Sequence, residues 1–281
     1  MYDLHSHILP SIDDGADTRE VALDMARAAV SQGVLSMACT PHILPGVYNN
    51  TGAQIRKAVA ELQRHLDEAE VQLQLVAGAD NHIAPDFVGG LRSGHLLSLN
   101  DTRYVLVEPP HHVAPPRLED LFFDLLVADY IPILTHPERL TWIESRYDVM
   151  CRLSARGVWM QITCGSLCGR FGRRARYWAE RMLAEGHVHI LATDAHNLNK
   201  RPPDLLEGRR AAERLVGDHE AHDLVVTRPN GVLANIAPGE LPAPGSAAKT
   251  GNVGGDNENA PTSRDRSGGG MARRLQRLFA G

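Results

Sequence analysis

The sequence has few aromatic residues, few cysteines and no long apolar run. Aromatic residues make up 5% of the 281 residues, while hydrophobic residues of all kinds make up 43%. Aliphatic side chains must therefore build the core. Four cysteines are too few for a disulfide framework in a chain of this length. Because there is no apolar run of about 18 residues, the sequence predicts no transmembrane helix.

Positive charge is not in excess either. The chain has 29 Lys and Arg against 34 Asp and Glu, a formal net charge of −5, which disfavours a nucleic-acid-binding protein. A metal-type motif begins at Asp3 and leaves no space before it for a signal peptide, so we expect a cytoplasmic location. Histidine, in contrast, is frequent, with 14 residues. Many of these lie beside Asp, Glu or Pro, which first indicates metal binding.

The composition changes at Pro238. We expect residues 1–237 to form one folded domain and residues 238–281 to form a low-complexity, disordered tail, because 238–270 has few large aliphatic side chains. The tail ends in a short basic stretch, 271–281, with apolar residues at helical spacing. This stretch is interpreted either as a weak membrane-surface or partner contact or as an inert extension.

The folded part alternates between short apolar runs and amphipathic stretches. Seven runs predict strands, at 2–7, 34–40, 73–79, 103–108, 131–135, 158–163 and 188–193. Helical patterns lie between most of them. Such alternation is typical of a parallel sheet with crossover helices. Seven units without a Gly-rich phosphate turn favour an α/β fold of the distorted β/α (TIM-like) barrel type over a Rossmann-type sheet.

Metal-type side chains stand at or just beyond the ends of six of the seven predicted strands. In parallel barrels, catalytic groups come from the carboxyl ends of several strands. The candidates are His5, His7, Asp14, His42, Asp80, Glu108, His136, Asp194 and His196. A mixed imidazole and carboxylate set suits Mn²⁺, Fe²⁺ or Zn²⁺. Because the set exceeds the needs of one ion, we expect two or three ions, a device that activates water against a phosphate ester.

Arginines follow two of these candidates. Arg139 lies in the HPER motif, and Arg201 lies five residues after His196. A guanidinium group offers a planar fork of donors that matches phosphate oxygens. We therefore expect both arginines to bind phosphate, with Arg170 as a third candidate.

These residues resemble the polymerase-and-histidinol-phosphatase (PHP) superfamily. Within it they are similar to the bacterial protein-tyrosine phosphatases of capsule and exopolysaccharide operons, the CpsB/CapC type. The segments that carry the resemblance are DLHSHILPSIDDGADT, CTPH, LVEPP, THPER, QITCGSLCGRFG and TDAHN. They span most of 1–237. The resemblance implies a distorted seven-stranded barrel of the PHP type with three metal ions.

The resemblance also implies a ligand assignment. One ion would be held by His5, His7, Asp80 and Asp194, a second by Asp80, Glu108 and His136, and a third by Asp14, His42 and His196. Mn²⁺ is the implied ion, with Fe²⁺, Zn²⁺ or Mg²⁺ as alternatives. In this family the carboxylate at the position of Asp80 is usually a glutamate, so metal spacing and preference are open at this point.

The implied activity is hydrolysis of phosphotyrosine by metal-activated hydroxide, with Arg139 and Arg201 on the phosphate. The implied partner is a membrane-associated bacterial tyrosine autokinase that controls capsule or exopolysaccharide synthesis. One alternative is a PHP-type phosphatase of a small ester such as histidinol phosphate. Another is a metal-stabilised regulatory or scaffold protein without turnover.

A further alternative is a cysteine-dependent phosphatase. Cys164 and Arg170 have the C-x5-R spacing of that loop. However, Thr163 stands where this signature carries His, and Phe171 stands where it carries Ser or Thr. This mechanism would also leave the metal-type residues unexplained.

Overall fold

The structure, a computed structural model, describes residues 1–247. Over this range it has strands in two parallel sheets, of order β1-β2-β4 and β3-β5-β6-β7-β8-β9. The strands are β1 (Tyr2–Ser6), β2 (Ser36–Cys39), β3 (His42–Ile43), β4 (Gln74–Ala77), β5 (Asp80–His82), β6 (Tyr104–Glu108), β7 (Ile131–Thr135), β8 (Trp159–Thr163) and β9 (Ile190–Ala192).

Two of the seven predicted strands are each followed by a short additional strand that begins beyond their predicted end. The predicted strand 34–40 becomes β2, and the chain then resumes as β3 beyond Pro41, which has no N–H for the ladder. The predicted strand 73–79 becomes β4, and β5 follows directly after Gly78 and Ala79. Because β2 pairs with β4 and β3 pairs with β5, both interruptions lie at the same level. The nine strands of the described range therefore occupy seven positions.

The barrel closes between β1 and the segment after β9. His7 N donates to Ala195 O at 2.8 Å, and Asp194 N donates to His5 O at 2.8 Å. Ser6 and Ala195 form a parallel bridge. This closure confirms the predicted distorted seven-stranded β/α barrel, and it places His5, His7 and Asp194 side by side.

Helices follow most of the strands. They are α1 (Arg19–Ser31), α2 (Gly52–Glu68), α3 (Phe87–Arg92), α4 (Leu118–Val127), α5 (Ile143–Ala155), α6 (Cys164–Leu167), α7 (Gly172–Ala184), α8 (Leu205–His222) and α9 (Arg228–Leu233). The helix α2 shows why such segments are helical. It begins with a capping box of Thr51 and Gln54 and buries Ile55, Val59 and Leu62 along one face. No helix within 1–247 is long and apolar enough to cross a membrane.

The core has two parts. The larger cluster joins the helices to the outer faces of the strands. The smaller cluster consists mainly of strand side chains, among them Leu106 of β6 and Ala192 of β9. Since side chains alternate along a strand, Glu108 shares the face of Leu106 on β6. Asp194 lies two residues after Ala192, just beyond the end of β9. The inner apolar core therefore leads directly to the polar residues at the carboxyl ends.

Residues 238–247 differ from the predicted disordered tail. Pro238–Glu240 form a 3₁₀ turn, and Leu241 packs against the inner cluster. Ala247 N donates to Ala184 O at 3.0 Å. One partly buried leucine and a backbone hydrogen bond attach this segment to the domain, which composition alone does not reveal. The rest of the predicted tail, including 271–281, lies outside the described residues.

Candidate metal centre

The structure brings all nine candidate ligands to the carboxyl end of the barrel. Seven of them are at least 97% buried, whereas His42 is partly exposed and Asp14 is exposed. Their ligand atoms approach within 4.8 Å of one another in several groups of three or four. Two of the groups are His7, Asp14, His42 and His196, and His5, His136 and Asp194. The strand ends that carry them come from β1, β3, β5, β6, β7 and β9.

The first implied ligand set lies where β1 meets the segment after β9. His5 Nε2 is 3.3 Å from His7 Nε2, 3.4 Å from Asp194 Oδ1 and 3.5 Å from Asp80 Oδ2. His7 Nε2 is 3.3 Å from Asp194 Oδ1. Four ligand atoms from three strand ends thus converge on one point.

The other two sets flank the first. His136 Nε2 is 3.8 Å from Asp80 Oδ2 and 3.5 Å from Glu108 Oε1. On the opposite side, Asp14 Oδ1 is 3.4 Å from His196 Nε2. The same Asp14 oxygen is 3.6 Å from His42 Nε2. Asp80 Oδ2 faces both His5 and His136, so the first and second sets share this carboxylate.

Hydrogen bonds fix which ring nitrogen of three histidines faces the centre. His5 Nδ1 donates to Gln161 Oε1 at 2.9 Å, and His7 Nδ1 donates to Asp13 Oδ2 at 2.6 Å. His196 Nδ1 donates to the carbonyl of Asp194 at 2.9 Å. Because these acceptors require a proton on Nδ1, each Nε2 presents a lone pair to the centre, the arrangement expected of a metal-binding histidine.

Buried charge also favours a cation here. Burial opposes protonation of His5, but Asp80 and Asp194 raise its pKa to about 9. Burial likewise opposes protonation of His42, and the surrounding carboxylates raise its pKa to about 10. For His136, burial and Arg139 prevail and lower the pKa to about 4. The carboxylates that draw a proton to His5 and His42 would attract a metal ion to the same rings.

Several buried polar atoms at the centre have no hydrogen-bond partner in the described part of the chain. Three of them are Asp80 Oδ2, His42 Nδ1 and His196 Nε2. Leaving such atoms unsatisfied costs free energy, and most native structures avoid it. All three are carboxylate or imidazole atoms, which bind metal ions, and each faces another candidate ligand. The residues therefore fit divalent cations.

Four neighbours of the ligands were missed by the sequence analysis. Asp13 and Gln161 orient His7 and His5. His82 Nε2 contacts Glu108 Oε2, and His111 Nε2 is 3.3 Å from Glu108 Oε1. Two of the four left a signal in the sequence. Asp13 is the other aspartate of the IDDG motif, and His82 follows Asp80 by two residues on the same strand face.

The two predicted phosphate-binding arginines meet at one ligand. Arg139 Nη1 and Arg201 Nη2 both donate to Asp194 Oδ2. The ring of Phe171 lies against both, with its centroid 4.5 Å from Arg139 Cζ and 6.0 Å from Arg201 Cζ. Both side chains remain partly exposed at the mouth of the centre. Guanidinium donors that are not used by Asp194 can therefore reach a bound phosphate.

Arg170, the third candidate, lies apart from this pair. It donates to Asp204 and Glu207, so two carboxylates already neutralise its charge. Cys164 is 1% exposed, and burial raises its pKa well above the ordinary value. It also packs on α8, where a Cβ added to Gly208 would lie 2.3 Å from its sulfur. A buried, protonated thiol beside a neutralised arginine does not fit a nucleophilic cysteine.

Comparison with known proteins gives a consistent result. A family model described as "Capsular polysaccharide synthesis, CpsB/CapC" matches residues 1–234. The tyrosine-protein phosphatase YwqE of Bacillus subtilis is 39% identical over 201 residues, which are 72% of this chain and 79% of YwqE. The tyrosine-protein phosphatase CpsB of Streptococcus pneumoniae is 27% identical over 242 residues, 83% of this chain and 98% of CpsB.

A solved structure agrees with the sequence matches. It belongs to a pair of crystal structures, YwqE of Bacillus subtilis and CpsB of Streptococcus pneumoniae, described as metal-dependent tyrosine phosphatases. The TM-score is 0.81 at 36% sequence identity, and the match covers 84% of this chain and 96% of the other. The family model spans nearly the whole described domain. The chain therefore belongs to the CpsB/CapC family of capsular polysaccharide synthesis proteins.

Proposed function

We propose that this protein is a metal-dependent protein-tyrosine phosphatase that removes phosphate from a tyrosine kinase of capsule or exopolysaccharide synthesis. The observation that carries the proposal is the position of Asp194. This carboxylate faces His5 and His7 through one oxygen and binds Arg139 and Arg201 through the other. Metal ligands and phosphate-binding cations thus share one residue. The YwqE and CpsB relatives carry the name tyrosine-protein phosphatase.

The residues present would hold two or three divalent ions in the three sets described above, and we propose Mn²⁺ as the ion. Bound ions of this kind activate water as a nucleophile and neutralise phosphate charge. The chain itself supplies orientation. Arg139 and Arg201 hold the equatorial phosphate oxygens in place, and Phe171 holds the two guanidinium groups. The phenolate of tyrosine, whose conjugate acid has a pKa of about 10, leaves more readily than an alkoxide.

The rim of the centre favours a protein substrate over a small ester. Three exposed aliphatic residues stand on the loops that carry the ligands: Val47 is 64% exposed, Val113 is 67% exposed and Leu198 is 41% exposed. Tyr48 stacks on His42, with ring centroids 5.6 Å apart and an angle of 17°. Exposed apolar side chains on these loops, beside a histidine-rich and acidic centre, would suit an aromatic ring and the peptide that bears it. The kinase partner and the cytoplasmic location stay predictions.

The test compares substrates on one sample of the full chain loaded with Mn²⁺. We expect phosphate release from a phosphotyrosine peptide at a kcat/KM well above that for histidinol phosphate. Arg139→Ala should lose most of this activity, whereas Arg170→Ala, the matched control at the same end of the barrel, should keep it. Faster turnover of histidinol phosphate would favour the small-ester alternative. Absence of turnover with either substrate, in a chain that holds metal, would favour the scaffold alternative.

A further inference from the structure

Glu108 is surrounded by four histidines, two at each carboxylate oxygen. Oε1 faces His111 Nε2 at 3.3 Å and His136 Nε2 at 3.5 Å. Oε2 faces His42 Nδ1 at 3.2 Å and contacts His82 Nε2. Of these, His82 and His111 belong to none of the three ligand sets discussed above. The carboxylate thus stands between two pairs of imidazole nitrogens, and each pair with its oxygen has the composition of a metal site.

We propose that His42, His82 and Glu108 Oε2 bind a divalent transition-metal ion, and that His82 is therefore a further metal ligand of this protein. The ligand atoms of the three residues lie within 4.8 Å of one another. Two histidines and a glutamate are a known ligand set for Zn²⁺, one that leaves a position open to water or substrate. The inference rests on the proposed metal dependence of the protein.

The backbone fixes this arrangement. In the sheet register, His82 of β5 pairs with Glu108 of β6, and His42 of β3 pairs with Asp80 of β5. Side chains two residues apart share a face, so His82 stands beside Asp80 on the side that carries the ligands. The rings of His42 and His82 have centroids 5.1 Å apart. Three adjacent parallel strands therefore hold the three ligands without the help of a flexible loop.

The orientation of His42 favours a metal ion over a hydrogen-bond network. Its Nε2 faces Asp14 and its Nδ1 faces Glu108. A neutral imidazole has one lone pair, so His42 would bind this ion through Nδ1 in place of the ion beside Asp14. The Nδ1 atom is buried without a hydrogen-bond partner in the described range. A cavity of about 190 Å³ is lined by His82, Ile43 and His95, so His82 borders open space beside the other two ligands.

The test uses two substitutions with opposite properties. In His82→Gln the side-chain amide can still donate a hydrogen bond to Glu108 but is a poor ligand for Zn²⁺. In His82→Cys the thiolate can bind Zn²⁺ but cannot replace that hydrogen bond. His95→Gln is the matched control, because His95 is an exposed histidine that lines the same cavity. The full chain and each variant are stripped with a chelator, dialysed against Zn²⁺ and analysed for metal per chain, with circular dichroism as the check on folding.

We expect His82→Gln to lose about one equivalent of Zn²⁺ per chain while His82→Cys and His95→Gln keep the wild-type content. Full Zn²⁺ content in His82→Gln with loss in His82→Cys would overturn the inference, since His82 would then only orient Glu108 through a hydrogen bond. Full content in both variants would overturn it as well. If the wild-type chain binds no metal, the proposed function fails too; if only the His82 result fails, that function stands.

Discussion

Replacing Asp13 by Asn tests how the protein prepares a histidine for metal binding. Asp13 accepts three hydrogen bonds: Oδ2 accepts from His7 Nδ1 at 2.6 Å and from His42 N at 3.0 Å, and Oδ1 accepts from Gly15 N at 2.9 Å. An asparagine has one acceptor oxygen. If that oxygen takes the place of Oδ1, the amide N–H meets His7 Nδ1 and forces the ring proton onto Nε2, the atom that faces the centre.

If the oxygen takes the place of Oδ2 instead, His7 keeps its tautomer but the amide opposes the N–H of Gly15. Either orientation disturbs the support of a metal ligand. Loss of such a support costs about 10- to 100-fold in metal affinity, or about 1.4 to 2.7 kcal/mol. We therefore expect Mn²⁺ to bind Asp13→Asn more weakly by that factor, measured by titration calorimetry on the chelator-stripped chain. Asp17→Asn, an exposed aspartate in the same loop, is the control. Affinity within two-fold of wild type would refute the reasoning.

Three further predictions follow from single contacts. Phe171→Leu should raise KM for an aryl phosphate by about 2- to 30-fold with a smaller change in kcat, because the ring lies against both arginines proposed to bind phosphate. Phe123→Leu on the exposed face of α4 is the control, and an unchanged KM in Phe171→Leu would contradict this role. Cys164→Ser should keep its turnover, but its free energy of unfolding in urea should be lower by about 1 to 3 kcal/mol, because a hydroxyl replaces a buried thiol. A loss of turnover with full metal content would instead support the thiol mechanism. Burial and Arg228 lower the pKa of His189 from 6.5 to about 3. The unfolded chain therefore binds a proton that the folded chain does not, and the free energy of unfolding should fall as pH drops below about 6.5. In urea unfolding, His189→Asn should show a shallower fall between pH 6.5 and 4, and an equal slope would contradict this role of His189.

The sequence predicts the barrel and the position of the candidate ligands for the same reason. Apolar runs that each end in a ligand-type residue identify both a strand and its carboxyl end, and parallel strands bring those ends together. His5 and Glu108 are far apart in the chain but are placed at one end of the fold by this rule. The short strands β3 and β5 are harder to predict, because they follow Pro41 and Gly78 and consist largely of polar residues that carry no apolar strand pattern.

Contacts between side chains that are distant in the chain are harder to predict from the sequence. The role of Arg170 depends on Asp204 and Glu207, which are distant in sequence and reach it only after α8 packs beside its loop. The contact of His82 with Glu108 depends on the register between β5 and β6, which periodicity does not determine. The attachment of residues 238–247 depends on Leu241, a single side chain within a polar segment.

The most direct measurement is the release of phosphate from a phosphotyrosine peptide by the chelator-stripped full chain as Mn²⁺ is added back, with bound metal determined on the same samples. We predict no release without metal and a rate that rises with the bound Mn²⁺. Arg139→Ala should bind the same amount of metal and release little phosphate. Hydrolysis that persists in the stripped chain, or a chain that is fully loaded with metal but inactive on the peptide, would contradict the account.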